Sequence, residues 1–252
     1  GWTIRHVNFT AVQEDGSMLC PDILSRKSYD VKRRAMGAAV ADANYQQKPI
    51  DIKGRLYSKL KTYTDVPRDD AGHPLFVAVK SYTDTADEGN DYLCHVVYGV
   101  TPAGDDYLLD VIYTKDPMEV TEPAVARSIV ENGVTWADIE SNNGGRGFSR
   151  NVKRIIQERY HYTRATVHWF HQSKNKIARI LSNATNVMEH VYFPVNWAYR
   201  WPEYYDSMTK FQREGRNAHD DAQDATTGVV EKASGSGPPA RLNKNRALMG
   251  GF

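Results

Sequence analysis

The sequence predicts an α/β chain built on one mixed central sheet, three antiparallel strands followed by parallel strands, flanked by helices. Three observations carry this. Residues 75–115 read as three strand segments, LFVAVKSYTD, DYLCHVVYGVT and DYLLDVIYTK, and the turn-rich connectors TADEGN and PAGD are short enough for hairpins. From Glu122 onward, helical and strand patterns alternate, as they do where crossover helices join parallel strands. Acidic residues recur where strands end and where the last helix opens, positions from which loops bring distant side chains together above a sheet.

Each element follows from local pattern. The segment 1–72 reads as a lead-in, with a helical pattern over 25–44 that mixes basic residues with Tyr29, Val31, Met36, Ala39 and Val40. Turn residues at Pro49 and Gly54, and again from Pro67 to Gly72, punctuate it, and the second cluster marks the boundary of a main domain over 73–233. After the three strands, residues 122–132 carry apolar positions at helical spacing, and Gly133 stands where a helix would be capped. VTWADIES is a strand, NNGGRG a glycine-rich turn and FSRNVKRIIQERY a basic helix. ATVHWFHQ is a further strand, and a helix runs through KNKIARILSNATNVMEH. The short segment VYFPV precedes a helix over PEYYDSMTKFQRE, whose flanking aromatics, from Trp197 to Tyr205, fit hydrophobic packing better than base stacking. A last helix begins at His219, and the tail 234–252 is rich in Gly, Pro and Ser with scattered basic residues and has no packing pattern of its own.

Composition narrows the class. With 252 residues, 40% hydrophobic and 25% charged, the chain can bury one substantial core. No apolar run approaches bilayer length, and the opening GWTIRHVNFT lacks the basic-then-apolar order of a signal peptide, so an intracellular protein is expected. Cys20 and Cys94 stand in no CxxC or Cys/His spacing; buried free thiols are expected, not a zinc site. The net charge of +1 leaves a nucleic-acid partner undecided, since charge can still be segregated by face.

The acidic positions carry the chemistry. Asp84 closes the first strand, Glu140 closes WADIE, and Asp220, Asp221 and Asp224 open the last helix. Carboxylates without histidine or thiolate partners suit hard divalent cations, because Mg2+ and Mn2+ prefer oxygen donors and retain waters for a substrate. Phosphodiester hydrolysis by a pair of ions is the reaction such a set serves. On a helical wheel Asp221 lies nearest the face of Ala222, Ala225 and Val229, Asp224 comes next, and Asp220 suits a helix cap; His219 suits orienting a ligand or water. Arg146, Arg150, Lys153 and Arg154, after Glu140, fit either phosphate contacts or a solvated basic face.

Read in order, the motifs YTDTADEGNDY, DIESNNGGRGF and HDDAQDA, with the lead-in ANYQQKPIDIKGRLY, resemble the nuclease domain of tailed-phage large terminase subunits, a branch of the RNase H-like superfamily. The resemblance runs from about residue 44 to Glu231. It implies that Asp84, Glu140 and Asp221 or Asp224 bind two catalytic Mg2+ or Mn2+ ions, that Asp91 supports them, and that Lys174, Lys176 and Arg179 contact DNA. It further implies an endonuclease that cuts concatemeric viral double-stranded DNA during packaging, in the cytoplasm of an infected bacterial host, beside a terminase ATPase domain, a small terminase subunit and a portal protein. No GxxxxGK[ST] phosphate loop occurs in the chain, so translocation is expected to belong to another part of the motor. The same fold and carboxylates also serve Holliday-junction resolvases and transposases, and a non-catalytic module docking DNA or a portal protein stands as the alternative outside enzymes.

Overall fold

The computed structural model describes residues 9–13, 15–36, 41, 44–47, 54–86, 91–141, 145–214 and 217–233. After helix α1 (Arg26–Met36) come strands β1 (Lys61–Tyr63), β2 (Ala78–Asp84), β3 (Leu93–Val100) and β4 (Asp106–Thr114). Helix α2 (Met118–Glu131), β5 (Trp136–Glu140), α3 (Gly145–Glu158), β6 (Thr166–Phe170), α4 (Lys176–His190) and β7 (Val191–Pro194) alternate behind them. Helices α5 (Trp197–Arg200), α6 (Pro202–Lys210) and α7 (Asp221–Ala233) complete the described residues.

The seven strands form one sheet in the order β1-β7-β4-β3-β2-β5-β6. As the sequence predicts, β2, β3 and β4 are antiparallel neighbours, whereas β5 runs parallel to β2 and β6 parallel to β5. Strand β3 is buried along its whole length, which explains why LCHVVYGV shows no polar alternation: it is the central strand, covered on both faces. Its side chains feed two cores. Cys94, Val96 and Tyr98 pack with α4, α6 and α7 through Ile180, Tyr204 and Val229, while Leu93 and Val97 pack with α2 and α3 through Ile129 and Phe148.

Several local expectations shift. The segment VYFPV is a strand, β7, inserted in parallel between β4 and β1. Strand β1 precedes residue 73, and Leu56 and Tyr57, also in the lead-in, are buried in the same core as α7. Helix α2 starts at Met118 after Pro117, earlier than its apolar pattern indicates, and carries Pro123 inside. Of NNGGRG, residues 142–144 lie outside the described residues, and Gly145, Arg146 and Gly147 already belong to α3. The far end of the predicted first helix and the tail 234–252 also fall wholly or partly outside the described residues. Trp197, Trp201 and Tyr204 are core residues, whereas Tyr199 is 89% exposed. Cys94 is buried as expected, but Cys20 is exposed, in a turn whose Leu19 and Ile23 are exposed as well. Among the described residues no helix is long and apolar enough to cross a membrane.

Candidate metal centre

Strands β2 and β5 lie side by side in parallel, with Thr83 opposite Ile139, so their last residues, Asp84 and Glu140, end next to each other. Side chains alternate along a strand, so Asp84 shares a face with Tyr82. Helix α7 crosses that face. Its Gly228 rests on the Tyr82 ring so closely that any Cβ there would overlap the ring atoms. This approach brings the first turn of α7, with Asp221 and Asp224, over the strand ends. One ligand oxygen each from Asp84, Glu140 and Asp224 then lie within 4.8 Å of one another, and all three residues are buried.

Like charges in such a place need compensation. Lys176, on the first turn of α4, sets its ammonium 3.1 Å from Asp84, 2.9 Å from Asp221, 3.2 Å from Asp220 and 3.8 Å from Asp224. One turn on, Arg179 is buried; it donates to Asp224 at 2.8 Å and to Glu231 at 2.8 Å, and stands 3.7 Å from Glu140. The buried Tyr82 hydroxyl donates to Glu140, and Thr85 Oγ1 donates to the Glu140 backbone carbonyl at 3.1 Å. The Tyr92 backbone N–H donates to Asp221 at 3.3 Å.

The compensation is incomplete. Burial pushes the Asp84 carboxyl well above the usual carboxylate range; Lys176 opposes the shift, and Glu140, Asp224 and Asp221 add to it. Asp224 is pushed up to about 7, again chiefly by burial, against the pull of Arg179 and Lys176. Burial works against the Lys176 ammonium, but Asp84, Asp221, Asp220 and Asp224 outweigh it and hold the proton on. Asp84 and Asp224 bind protons this readily in a cluster whose candidate donors are carboxylate oxygens alone, the donor chemistry of a hard-cation site.

The residues singled out from sequence distribute as follows. Asp84, Glu140 and Asp224 meet. Asp221 lines the same cleft and, with Asp220, pairs with Lys176; every residue of α7 from Asp221 to Val230 is buried. His219 lies 4.0 Å from Asp221, its ring edge-on to Tyr92; Asp91 lines the mouth of the acidic cleft and is exposed. Arg146, Arg150 and Lys153 are exposed on α3, with Arg146 over the Trp169 ring at 4.5 Å; Arg154, also exposed, pairs with Glu158. Lys174 is exposed and 4.0 Å from Glu231. Lys176 and Arg179, expected to contact DNA, are engaged with the carboxylates. Sequence reasoning missed Tyr82, Thr85, Tyr92 and Glu231. Strand alternation two residues before Asp84 points to Tyr82, and helical spacing seven residues after Asp224 points to Glu231.

No protein-family model matches the sequence, and no curated protein is similar to it. Solved structures are similar. The large terminase from a thermophilic bacteriophage is 11% identical, with a TM-score of 0.51 over 83% of this chain and 53% of that one. The nuclease domain of the large terminase subunit gp2 of bacterial virus Sf6 is 14% identical, with a TM-score of 0.45 over 64% of this chain and 90% of that one. The human cytomegalovirus terminase nuclease domain is 10% identical, with a TM-score of 0.41 over 66% of this chain and 88% of that one. At such identities the likeness is one of fold. The chain shares the fold of part of the thermophilic bacteriophage large terminase.

Proposed function

We propose that this chain is a metal-dependent endonuclease that cleaves concatemeric viral double-stranded DNA during genome packaging. The observation that carries the reading is the convergence of Asp84, Glu140 and Asp224, buried and from three separate elements, to within 4.8 Å. Asp84, Glu140 and Asp224 would hold a pair of Mg2+ or Mn2+ ions, with Asp221 and Asp220 as further oxygen donors. Such ions, when bound, supply the Lewis acidity that activates water and stabilises the leaving oxygen.

The chain's own residues supply position and charge. Tyr82 and Arg179 fix Glu140 and Asp224 from below, so neither carboxylate has to be reoriented during a reaction. The ammonium of Lys176 lies at the cleft where phosphate charge would accumulate. Asp91, which lines the cleft, and His219, 4.0 Å from Asp221, are supporting groups, and Arg146, Arg150, Lys153 and Lys174 are exposed cations able to meet the DNA backbone. In this reading the chain works in the cytoplasm of an infected bacterial host with a terminase ATPase domain, a small subunit and a portal protein, as the fold resemblance suggests.

Supercoiled plasmid incubated with the protein and Mn2+ or Mg2+ is expected to be nicked and linearised, and EDTA is expected to stop the reaction. Asp84→Ala should abolish cleavage. A wild-type protein without metal-dependent cleavage, or an Asp84→Ala protein that cuts as well as wild type, overturns the proposal.

A further inference from the structure

A groove of about 950 Å³ opens directly beside the acidic cleft, between α4 and the C-terminal half of α7. Gln172, Lys174 and Arg179 line both the groove and the cleft, so the two are continuous. The α4 wall is polar: Arg179, Ser182 and Asn186 follow one another at helical spacing and all line the groove. At 1.5 Å per residue, this stripe carries the polar wall about 10 Å away from the metal centre, which matches about three nucleotides of one DNA strand at 3.4 Å each.

The lining chemistry selects a ligand. Lys174, at the junction with the cleft, is an exposed cation 4.0 Å from Glu231, whose carboxylate is held by Arg179 at 2.8 Å; Lys232, on the opposite wall, keeps its ammonium over the Phe170 ring and 3.9 Å from Asp138. Asn186 donates to the Asn183 side chain at 3.4 Å, and an amide with two donors and an acceptor retains capacity to donate elsewhere. The Ser182 hydroxyl donates its one proton to the Arg179 backbone carbonyl at 3.0 Å, which leaves amide and ammonium donors along the groove, groups that hold sugar–phosphate backbone without reading bases.

On the reading of the site as a nuclease, we infer that this groove seats the sugar–phosphate backbone of one strand of the DNA duplex as it leaves the metal centre, with Asn186 and Lys174 as backbone contacts. The groove sets the direction in which the strand runs and adds affinity without sequence preference.

Binding of a short fluorescein-labelled DNA duplex, followed by anisotropy in EDTA over a salt series, tests this in the full chain. Asn186→Lys should tighten binding and steepen the slope of log K against log salt by about 0.9, the increment for one added phosphate contact on duplex DNA. Asn186→Glu should weaken binding several-fold. Tyr199→Lys adds the same charge at an exposed position that lines neither groove nor cleft, and should change the slope less. Equal effects of Asn186→Lys and Tyr199→Lys, or no effect of either Asn186 variant, overturn the groove assignment. If the wild type still cleaves plasmid in that case, the nuclease reading stands and the groove alone is wrong. Absence of metal-dependent cleavage sinks the nuclease reading instead. Opposite signs for two variants at one position exclude misfolding as the cause.

Discussion

At the scale of single residues, Asp224 is the most informative. Its carboxyl, pushed up to about 7 from 3.8 by burial among other carboxylates, holds a proton more tightly folded than unfolded. The stability it contributes is therefore fully present below the unfolded value and is lost as pH rises through about 7. A divalent ion competes with that proton, so the gain in melting temperature on adding Mn2+ should be small at about pH 6 and grow to a plateau near pH 8. Thermal melts with and without Mn2+ across that range check this, and a pH-independent gain would contradict it. In the same assay Asp224→Asn should remove most of the gain, and Asp221→Asn less of it, because Asp224 meets Asp84 and Glu140 whereas Asp221 faces Lys176 and the Tyr92 amide. The reverse order would make Asp221 the principal ligand.

At the scale of elements, the contact between α7 and β2 decides whether a site exists. Gly228 is what lets the helix lie on the Tyr82 ring, and Tyr82 in turn braces Glu140. Replacing Gly228 by Ala would gain helix propensity of about 1 kcal/mol, but would force the helix off the ring, where overpacking costs about 1–3 kcal/mol. The net expectation is a lower melting temperature together with a weakened Mn2+ response, since Asp224 rides on the same helix. A Gly228→Ala protein with the wild-type melt and metal response would show that the approach can relax without moving the carboxylates. Helix α4 contributes in a different way, presenting Lys176 and Arg179 to the carboxylates and the Ser182–Asn186 stripe to the adjoining groove.

At the scale of the whole molecule, the sheet separates two cores, and the metal centre is built on only one of them. Ile129 and Phe148 pack under α2 and α3 on the other face. Ile129→Ala should lower stability by about 2–5 kcal/mol through the cavity it leaves, while the melting-temperature gain from Mn2+ should remain close to that of wild type. Paired melts test this; loss of the metal response with the core substitution would mean that the two faces are coupled through the sheet.

The strand runs, the hairpin connectors and the helix–strand alternation were legible because each is a local pattern of period two or 3.6, and so were Asp84 and Glu140, which stand at strand ends by position alone. VYFPV was not legible as a strand, since four residues carry too little period to distinguish strand from loop. The choice among Asp220, Asp221 and Asp224 was not legible either, because a helix buried on every side offers no polar face to orient the wheel. The assignment of Lys176 and Arg179 to the carboxylates depends on α4 and α7 lying against each other, a contact about 45 residues apart in the chain that no spacing encodes. The sequence by itself thus determined the three antiparallel strands, the helix–strand alternation that follows them and the presence of acidic strand ends. Only the tertiary structure decided which carboxylates share a site and which cations answer them, because electrostatic partnership is set by distance in space and by burial, and both arise when the helices close over the sheet.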